Sequence, residues 1–340
     1  MKTRSFTSRS GQSLTFTAMG FGTAPLGNLY APIGDEAARQ TLDQAWQVGC
    51  RIFDTTPFYG LGLSETRLNP FLRAHKGEDF LLSSKIGRLL KPCLPAERSA
   101  QAHYIDTPAR RVVFDYSYDG VMRSVEDSLA RLGVDRIDIL LCHDIDAITH
   151  ESDSLSEQHL KTFMEGGYRA LERLRSDGSI KAFGAGLNVW QMCERLARLG
   201  DFDLFLMAGR YTLLEQEPLD TFLPLCLTRK IGIICGGPYN SGILATGAVA
   251  GAFYNYEPAP PAILERVRKI EAICRAHNVS LSEAAIQFPL FHEAVLCVIP
   301  GGKTPDEVTR NANQLQKPLP TALWADLKTA GLLAAHAPTP

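Results

Sequence analysis

An acid and a phenol stand five positions apart in Asp54-Thr-Thr-Pro-Phe-Tyr59-Gly-Leu-Gly-Leu-Ser64-Glu65, directly after the apolar run Cys50-Arg-Ile-Phe53. Two further apolar runs also end on a functional side chain. Phe80-Leu-Leu-Ser-Ser ends at Lys85, and Ile137-Asp-Ile-Leu-Leu-Cys ends at His143. A free phenol titrates near pH 10, so it moves protons at neutral pH only with help. A neighbouring ammonium stabilises the phenolate, which is the part Lys85 can play, with Asp54 holding Lys85 charged. A neutral His143 can align a substrate oxygen by hydrogen bonding. Together the four suit proton transfer to or from a carbonyl or alcohol oxygen. Taken one at a time, Asp54 also fits a helix cap or turn, Tyr59 fits packing, and Lys85 fits a solvated strand end.

Positioning them at one rim requires a repeating architecture, and the chain supplies one. Residues 4–17 read as a β-hairpin, and β/α alternations follow. Met19-Gly-Phe-Gly22-Thr23 is a short strand, and Asp35 is expected to cap a helix through Trp46 that Gly49 stops. Strand two is Arg51–Asp54, with a helix opening at Ser64. Strand three is Phe80–Lys85, followed by an irregular stretch over 86–117 that is too long for a simple connector. Asp119 is expected to cap the next helix, and Ile137–His143 reads as a strand buried on both sides. Later strands fall at Ile180–Gly186, Asp203–Met207, Ile231–Cys235 and Val295–Ile299, with helices between them. Eight alternations without a linker or composition break predict an α/β fold, a closed (β/α)8 TIM barrel forming a single domain over 1–340. An extra C-terminal helix is expected over 322–333, and the tail 334–340 is expected to fray.

Composition narrows the chemistry. A net charge of −2 over 340 residues argues against nucleic acid or an anionic membrane as partner. The longest apolar runs fall short of a membrane span, and the N-terminus lacks a secretory h-region, so a cytoplasmic location is expected. The eight cysteines form no CxxC pair and read as buried free thiols, and no metal is expected. Neither a Walker motif nor a strand–GxGxxG–helix unit is present. The better phosphate cradle is Val298-Ile-Pro-Gly301-Gly302-Lys303-Thr304-Pro305-Asp-Glu307, at the mouth of the last β/α unit.

The segments Asp54–Glu65, Ser84-Lys85-Ile-Gly87, Asp127-Ser-Leu-Ala-Arg-Leu-Gly133-Val-Asp135-Arg-Ile-Asp138 and His143 resemble, in order and spacing, the aldo-keto reductase superfamily, over roughly 15–315. The resemblance implies an NAD(P)-dependent oxidoreductase in which Tyr59 is proton donor or acceptor and Lys85, Asp54 and His143 complete the tetrad. It also implies cofactor contacts from Gly22, Thr23, Asn188, Gly301, Gly302, Lys303, Thr304, Glu307 and Asn311. Gly186-Leu-Asn188-Val-Trp190, Ala208-Gly-Arg210-Tyr211-Thr212 and Gly236-Gly-Pro-Tyr-Asn240-Ser241-Gly242 are similar to the sugar and pyridoxal dehydrogenase branch. That branch includes L-fucose (D-threo-aldose) 1-dehydrogenases and pyridoxal 4-dehydrogenase.

The chain also departs from the wider family. Asn188-Val189, Ala208 and Gly236 stand where many members hold the nicotinamide with Ser-Asn, Gln and an aromatic. Glu307 stands where NADP-preferring members carry arginine, which favours NAD, while Lys303 argues for NADP. The expected partner is a small sugar or aldehyde, with an NADPH-linked aldehyde reductase or a nicotinamide-sensing regulatory subunit as alternatives. Tyr30, Tyr116, Asp144, Tyr239 and Tyr254 are unranked candidates for shaping the substrate pocket.

Overall fold

In the computed structural model, which describes residues 1–99 and 103–340, the apolar runs become eight parallel strands of one sheet. They are β1 (Phe21–Gly22), β2 (Ile52–Asp54), β3 (Leu81–Ile86), β4 (Ile139–His143), β5 (Ala182–Leu187), β6 (Leu204–Ala208), β7 (Gly232–Gly236) and β8 (Val295–Ile299). Neighbours in space are neighbours in sequence, and the parallel bridges Met19–Val298 and Gly22–Gly301 join the last strand to the first. The helices α1 (Asp35–Gln47), α2 (Leu63–Ala74) and α3 (Tyr118–Leu132) follow the first three strands. After β4 come α4 (Asp153–Thr162) and α5 (Tyr168–Ser176), joined by a π-helical turn at Phe163–Gly167. The ring continues with α6 (Trp190–Leu199), α7 (Phe222–Arg229), α8 (Pro261–Ala276), α9 (Leu281–Gln287), α10 (Pro305–Gln316) and α11 (Thr321–Thr329). This is the eight-stranded TIM barrel that the alternation predicted.

The two-residue period of a strand sorts side chains between two cores. Ile52, Leu81, Ile139, Leu141, Leu204, Leu206 and Ile234 fill the barrel, where Leu14 and Phe16 of the N-terminal hairpin (Thr3–Thr7, Ser13–Thr17) join them. Phe53, Leu82, Leu140, Phe183 and Phe205 face outward into the larger core beneath the helices. Asp54, Lys85 and His143 are in phase with the inward set, each being the inward residue nearest its strand's C-terminal end.

Several local expectations change. Gly34, not Asp35, precedes α1 as its cap, and Asp35 is the first helical residue. Ser117, whose hydroxyl accepts from Gly120 N, caps α3 instead of Asp119. Ser64 lies inside α2, which starts after Gly62, and donates to the Thr23 hydroxyl at 2.8 Å. The stretch 86–117 contains an antiparallel hairpin (Arg88–Pro92 with Arg110–Phe114) that its prolines disguised. In the tail, Ala337 is buried, Ala334 N donates to Gln216, and Lys328 Nζ donates to Thr339. The tail therefore packs rather than frays. Seven of the eight cysteines are buried free thiols and Cys93 is half-buried. Among the described residues, no helix is long and apolar enough to cross a membrane.

Candidate active site

Lys85 Nζ donates to Asp54 Oδ2 at 2.7 Å and to the Thr55 carbonyl at 2.9 Å, both partners coming from the end of β2. Ser83 Oγ, two residues earlier on the same face of β3, donates to Asp54 Oδ1 at 2.8 Å. Lys85 and Asp54 are 2% and 1% exposed, so this is a desolvated ion pair with its remaining lone pairs satisfied. Such a pair is weak evidence for stability, since desolvation offsets much of its attraction, and stronger evidence for a functional constraint. Gly186 of β5 makes room for it: a Cβ there would stand 3.1 Å from Lys85 Cε.

The Tyr59 loop is set by a close backbone crossing. Gly60 has φ +62°, and a Cβ on it would lie 2.3 Å from the Gly27 carbonyl oxygen. Any side chain at Gly60 would therefore push the two loops apart and move Tyr59. Thr23 ties the same loops together, donating to the Asp54 carbonyl at 2.9 Å. Lys85 Nζ lies 5.1 Å from the centre of the Tyr59 ring. The proximity is as expected, but the electrostatic outcome is not. Burial, followed by the Asp54 carboxylate and other anionic-capable neighbours, pushes the Tyr59 pKa well above its usual value. Desolvation is the main cause, and the Lys85 ammonium donates to Asp54 and the Thr55 carbonyl. Tyr59 is thus held as the neutral phenol, the form that donates a proton.

Burial, with help from the Arg88 and Lys85 charges, pushes His143 well below its usual value, so the imidazole is neutral. The Thr56 hydroxyl lies 3.2 Å from its Nδ1 and Asp144 Oδ2 lies 3.1 Å from its Nε2. With the Thr56 hydroxyl donating to Nδ1, the neutral ring carries its proton on Nε2. Asp144 in turn receives Arg88 Nη2 at 2.9 Å. Burial raises Asp144 to about 6 although Arg88 opposes the shift. Tyr116 donates to the His143 carbonyl at 2.9 Å and so fixes the turn that follows β4. An aromatic roof lies above. Tyr104 stacks on Tyr59 at 6.1 Å, Tyr30 meets His103 at 5.5 Å, and His103 stacks on Tyr256 at 5.8 Å. Sequence reasoning missed Arg88, Thr56 and Tyr104. Arg88 begins a hairpin it had read as irregular, and only the fold brings the other two to His143 and Tyr59. A cavity of about 610 Å³ lined by Leu72, Phe80, Leu129 and Val134 contains none of these groups.

The residues expected to hold a nicotinamide dinucleotide divide. Thr304 caps α10, accepting from Glu307 N, and the Glu307 carboxylate folds back to accept from Lys303 N at 2.7 Å. Gly301 and Gly302 have no room for a Cβ, which would stand 2.9 Å from Pro25 and 3.0 Å from Val308 respectively. That narrow, amide-rich entry to a helix fits the phosphates and ribose of a dinucleotide. Lys303 is half-buried beside it, with Nζ 5.8 Å from the Tyr30 ring centre. Asn311 is buried and accepts from the Tyr239 hydroxyl at 2.9 Å. Asn188 is half-buried at the end of β5, its carbonyl taken by Arg210 Nε. Gly22 bridges to Gly301 at the barrel seam. Thr23 is different: it is fully buried, and its hydroxyl serves Asp54 and Ser64, so its part is to hold the catalytic loops.

Known proteins are similar to this chain in sequence and in fold. The profile described as "Aldo/keto reductase family" matches residues 18–331. The chain belongs to the aldo/keto reductase family. It is therefore an NAD(P)-dependent oxidoreductase. Among this aldo/keto reductase's relatives is a pyridoxal 4-dehydrogenase from Microbacterium luteolum, 40% identical over 330 residues that cover 94% of this chain and 96% of that protein. A D-threo-aldose 1-dehydrogenase from a Pseudomonas species is 39% identical over 334 residues, 96% of each chain. A solved aldo-keto reductase from Bacillus halodurans, in its holo form, superposes with a TM-score of 0.74 at 22% identity, covering 99% of this chain and 98% of its own, and shares the fold.

Proposed function

We propose that this aldo/keto reductase is an NAD-linked aldose 1-dehydrogenase that oxidises the hemiacetal carbon of L-fucose and related D-threo-aldoses to the lactone. The observation that carries the reading is the desolvated Lys85–Asp54 pair beneath Tyr59, with neutral His143 on the neighbouring strand. A bound nicotinamide supplies the acceptor for the hydride leaving C1. The chain's own groups handle the proton: the phenolate form of Tyr59 takes it from the C1 hydroxyl and becomes the phenol, and His143 Nε2–H orients that oxygen. Lys85 offsets the phenolate charge, and Asp54 keeps Lys85 in place. Glu307, at the head of α10, supports NAD, because its carboxylate would repel a 2′-phosphate and accept from a ribose hydroxyl.

The test is nicotinamide fluorescence on adding L-fucose, D-arabinose or pyridoxal with NAD+. A signal with L-fucose is expected, and in Tyr59→Phe turnover should drop 10²- to 10⁴-fold, typical for loss of a general acid–base, with cofactor binding retained. Retention of more than about a tenth of kcat would sink the role given to Tyr59. The Microbacterium relative favours a second reading, oxidation of pyridoxal through its own hemiacetal. A signal with pyridoxal alone would select it, and tight cofactor binding without turnover of any substrate would point to a nicotinamide sensor.

A further inference from the structure

One acidic side chain beside the tetrad has no part in moving the proton. Asp144 follows β4, is 7% exposed, and holds a left-handed backbone angle of φ +40°. A non-glycine residue there carries strain, kept because its surroundings over-determine it. Tyr116 clamps the turn through the carbonyls of His143 and Asp144, at 2.9 and 3.3 Å. Arg88 grips Asp144 Oδ2 at 2.9 Å, and the same oxygen lies 3.1 Å from His143 Nε2. The guanidinium is itself costly to place. It packs 4.1 Å from the Phe58 ring centre and 5.4 Å from that of Phe114, and its Nε and Nη1 are buried without a hydrogen-bond partner. An arrangement that leaves two buried donors unsatisfied to hold one carboxylate is retained for what the carboxylate does, since it adds little stability.

The other oxygen shows what that is. Oδ1 makes no hydrogen bond among the described residues. Oδ1 is the uncommitted acceptor of this carboxylate, beside the His143 imidazole at the C-terminal end of β4. A substrate oxygen held by His143 Nε2–H sits beside Asp144, and the oxygen on the adjacent sugar carbon lies about one hydrogen-bond length further on. We propose that Asp144 reads the hydroxyl next to the reacting carbon: Oδ1 accepts its O–H, while Arg88 holds Oδ2. The site then selects a polyhydroxylated hemiacetal over a plain aldehyde. A group that can only accept at that position meets the lone pairs of a carboxylate. This inference rests on the dehydrogenase reading above and adds to it the recognition of one particular hydroxyl.

The experiment compares L-fucose with 2-deoxy-L-fucose, in the full chain with NAD+, for wild type, Asp144→Asn and Asp144→Ala. The quantity read is the ratio of kcat/KM for the two sugars, which a general loss of activity or folded protein does not move. Wild type should favour L-fucose by about 10- to 100-fold, the worth of a hydrogen bond to a charged group, and both variants should bring the ratio near unity. A wild-type ratio near unity, or one unchanged in both variants, overturns the proposal. Should neither sugar be turned over, the dehydrogenase reading fails and calorimetry decides this one. Tighter binding of L-fucose than of its 2-deoxy analogue, lost in Asp144→Asn, supports it. Equal binding, or none, overturns it.

Discussion

Tyr59 and Lys85 are near neighbours, yet burial first, and then the Asp54 carboxylate, push the phenol's pKa well above its usual value. If Tyr59 is the acid–base group as proposed, the resting enzyme holds the form suited to carbonyl reduction, and oxidation must draw on a small phenolate fraction. Below the phenol's pKa that fraction grows about tenfold per pH unit. Accordingly kcat/KM for aldose oxidation should rise by about that factor per unit between roughly pH 7 and 9, whereas reduction of the corresponding carbonyl should stay nearly flat. Paired pH profiles in the two directions check this. An oxidation profile flat across the range would place the acid–base group elsewhere. His143 adds no limb there, because burial keeps it neutral well below neutrality.

Elements decide what these residues meet. The loop after β2 reaches the rim only because Gly27 and Gly60 allow two backbones to touch, and the hairpin after β3 brings Arg88 to Asp144. Helix α10 begins with Thr304 as its cap and the Glu307 carboxylate returned to Lys303 N, so this carboxylate, with Asp306 beside it in the first turn, occupies the end where a dipole would welcome phosphate. Glu307→Gln should shift the kcat/KM ratio of NAD over NADP towards NADP by about tenfold, equivalent to about 1.4 kcal/mol. Steady-state kinetics with both cofactors measure it. A ratio that does not move would locate discrimination at Lys303 or outside this helix.

At the scale of the molecule, the barrel is filled from its N-terminal end by the hairpin, with Phe16 fully buried among Ile52, Leu81 and Ile139. Phe16→Ala should cost about 3–5 kcal/mol in urea unfolding while leaving kcat per folded molecule nearly unchanged, because the plug is remote from the rim. A matching loss of kcat would show that the interior layers transmit strain to Asp54. The sequence by itself determined the eightfold alternation and the three polar side chains at the strand ends, with Tyr59 in the loop above them. Both are periodic or local signals: apolar runs fix which residues face inward, and Asp54, Lys85 and His143 fall in that phase. Helix caps were displaced by a residue or two: Ser117 does at α3 what Asp119 was chemically suited to do, while Gly34 precedes α1 without any side-chain cap. Arg88 stayed hidden inside a Pro-rich stretch, and the bonds of the Thr23 hydroxyl to the Asp54 carbonyl and Ser64 stayed hidden as well. Only the tertiary structure could decide which charges answer one another. Lys85 faces Asp54 rather than the phenol, and Asp144 is gripped by a side chain 56 positions earlier in the chain. Those outcomes depend on distances of a few ångströms in a desolvated space, where Coulomb terms are large and no sequence spacing encodes them.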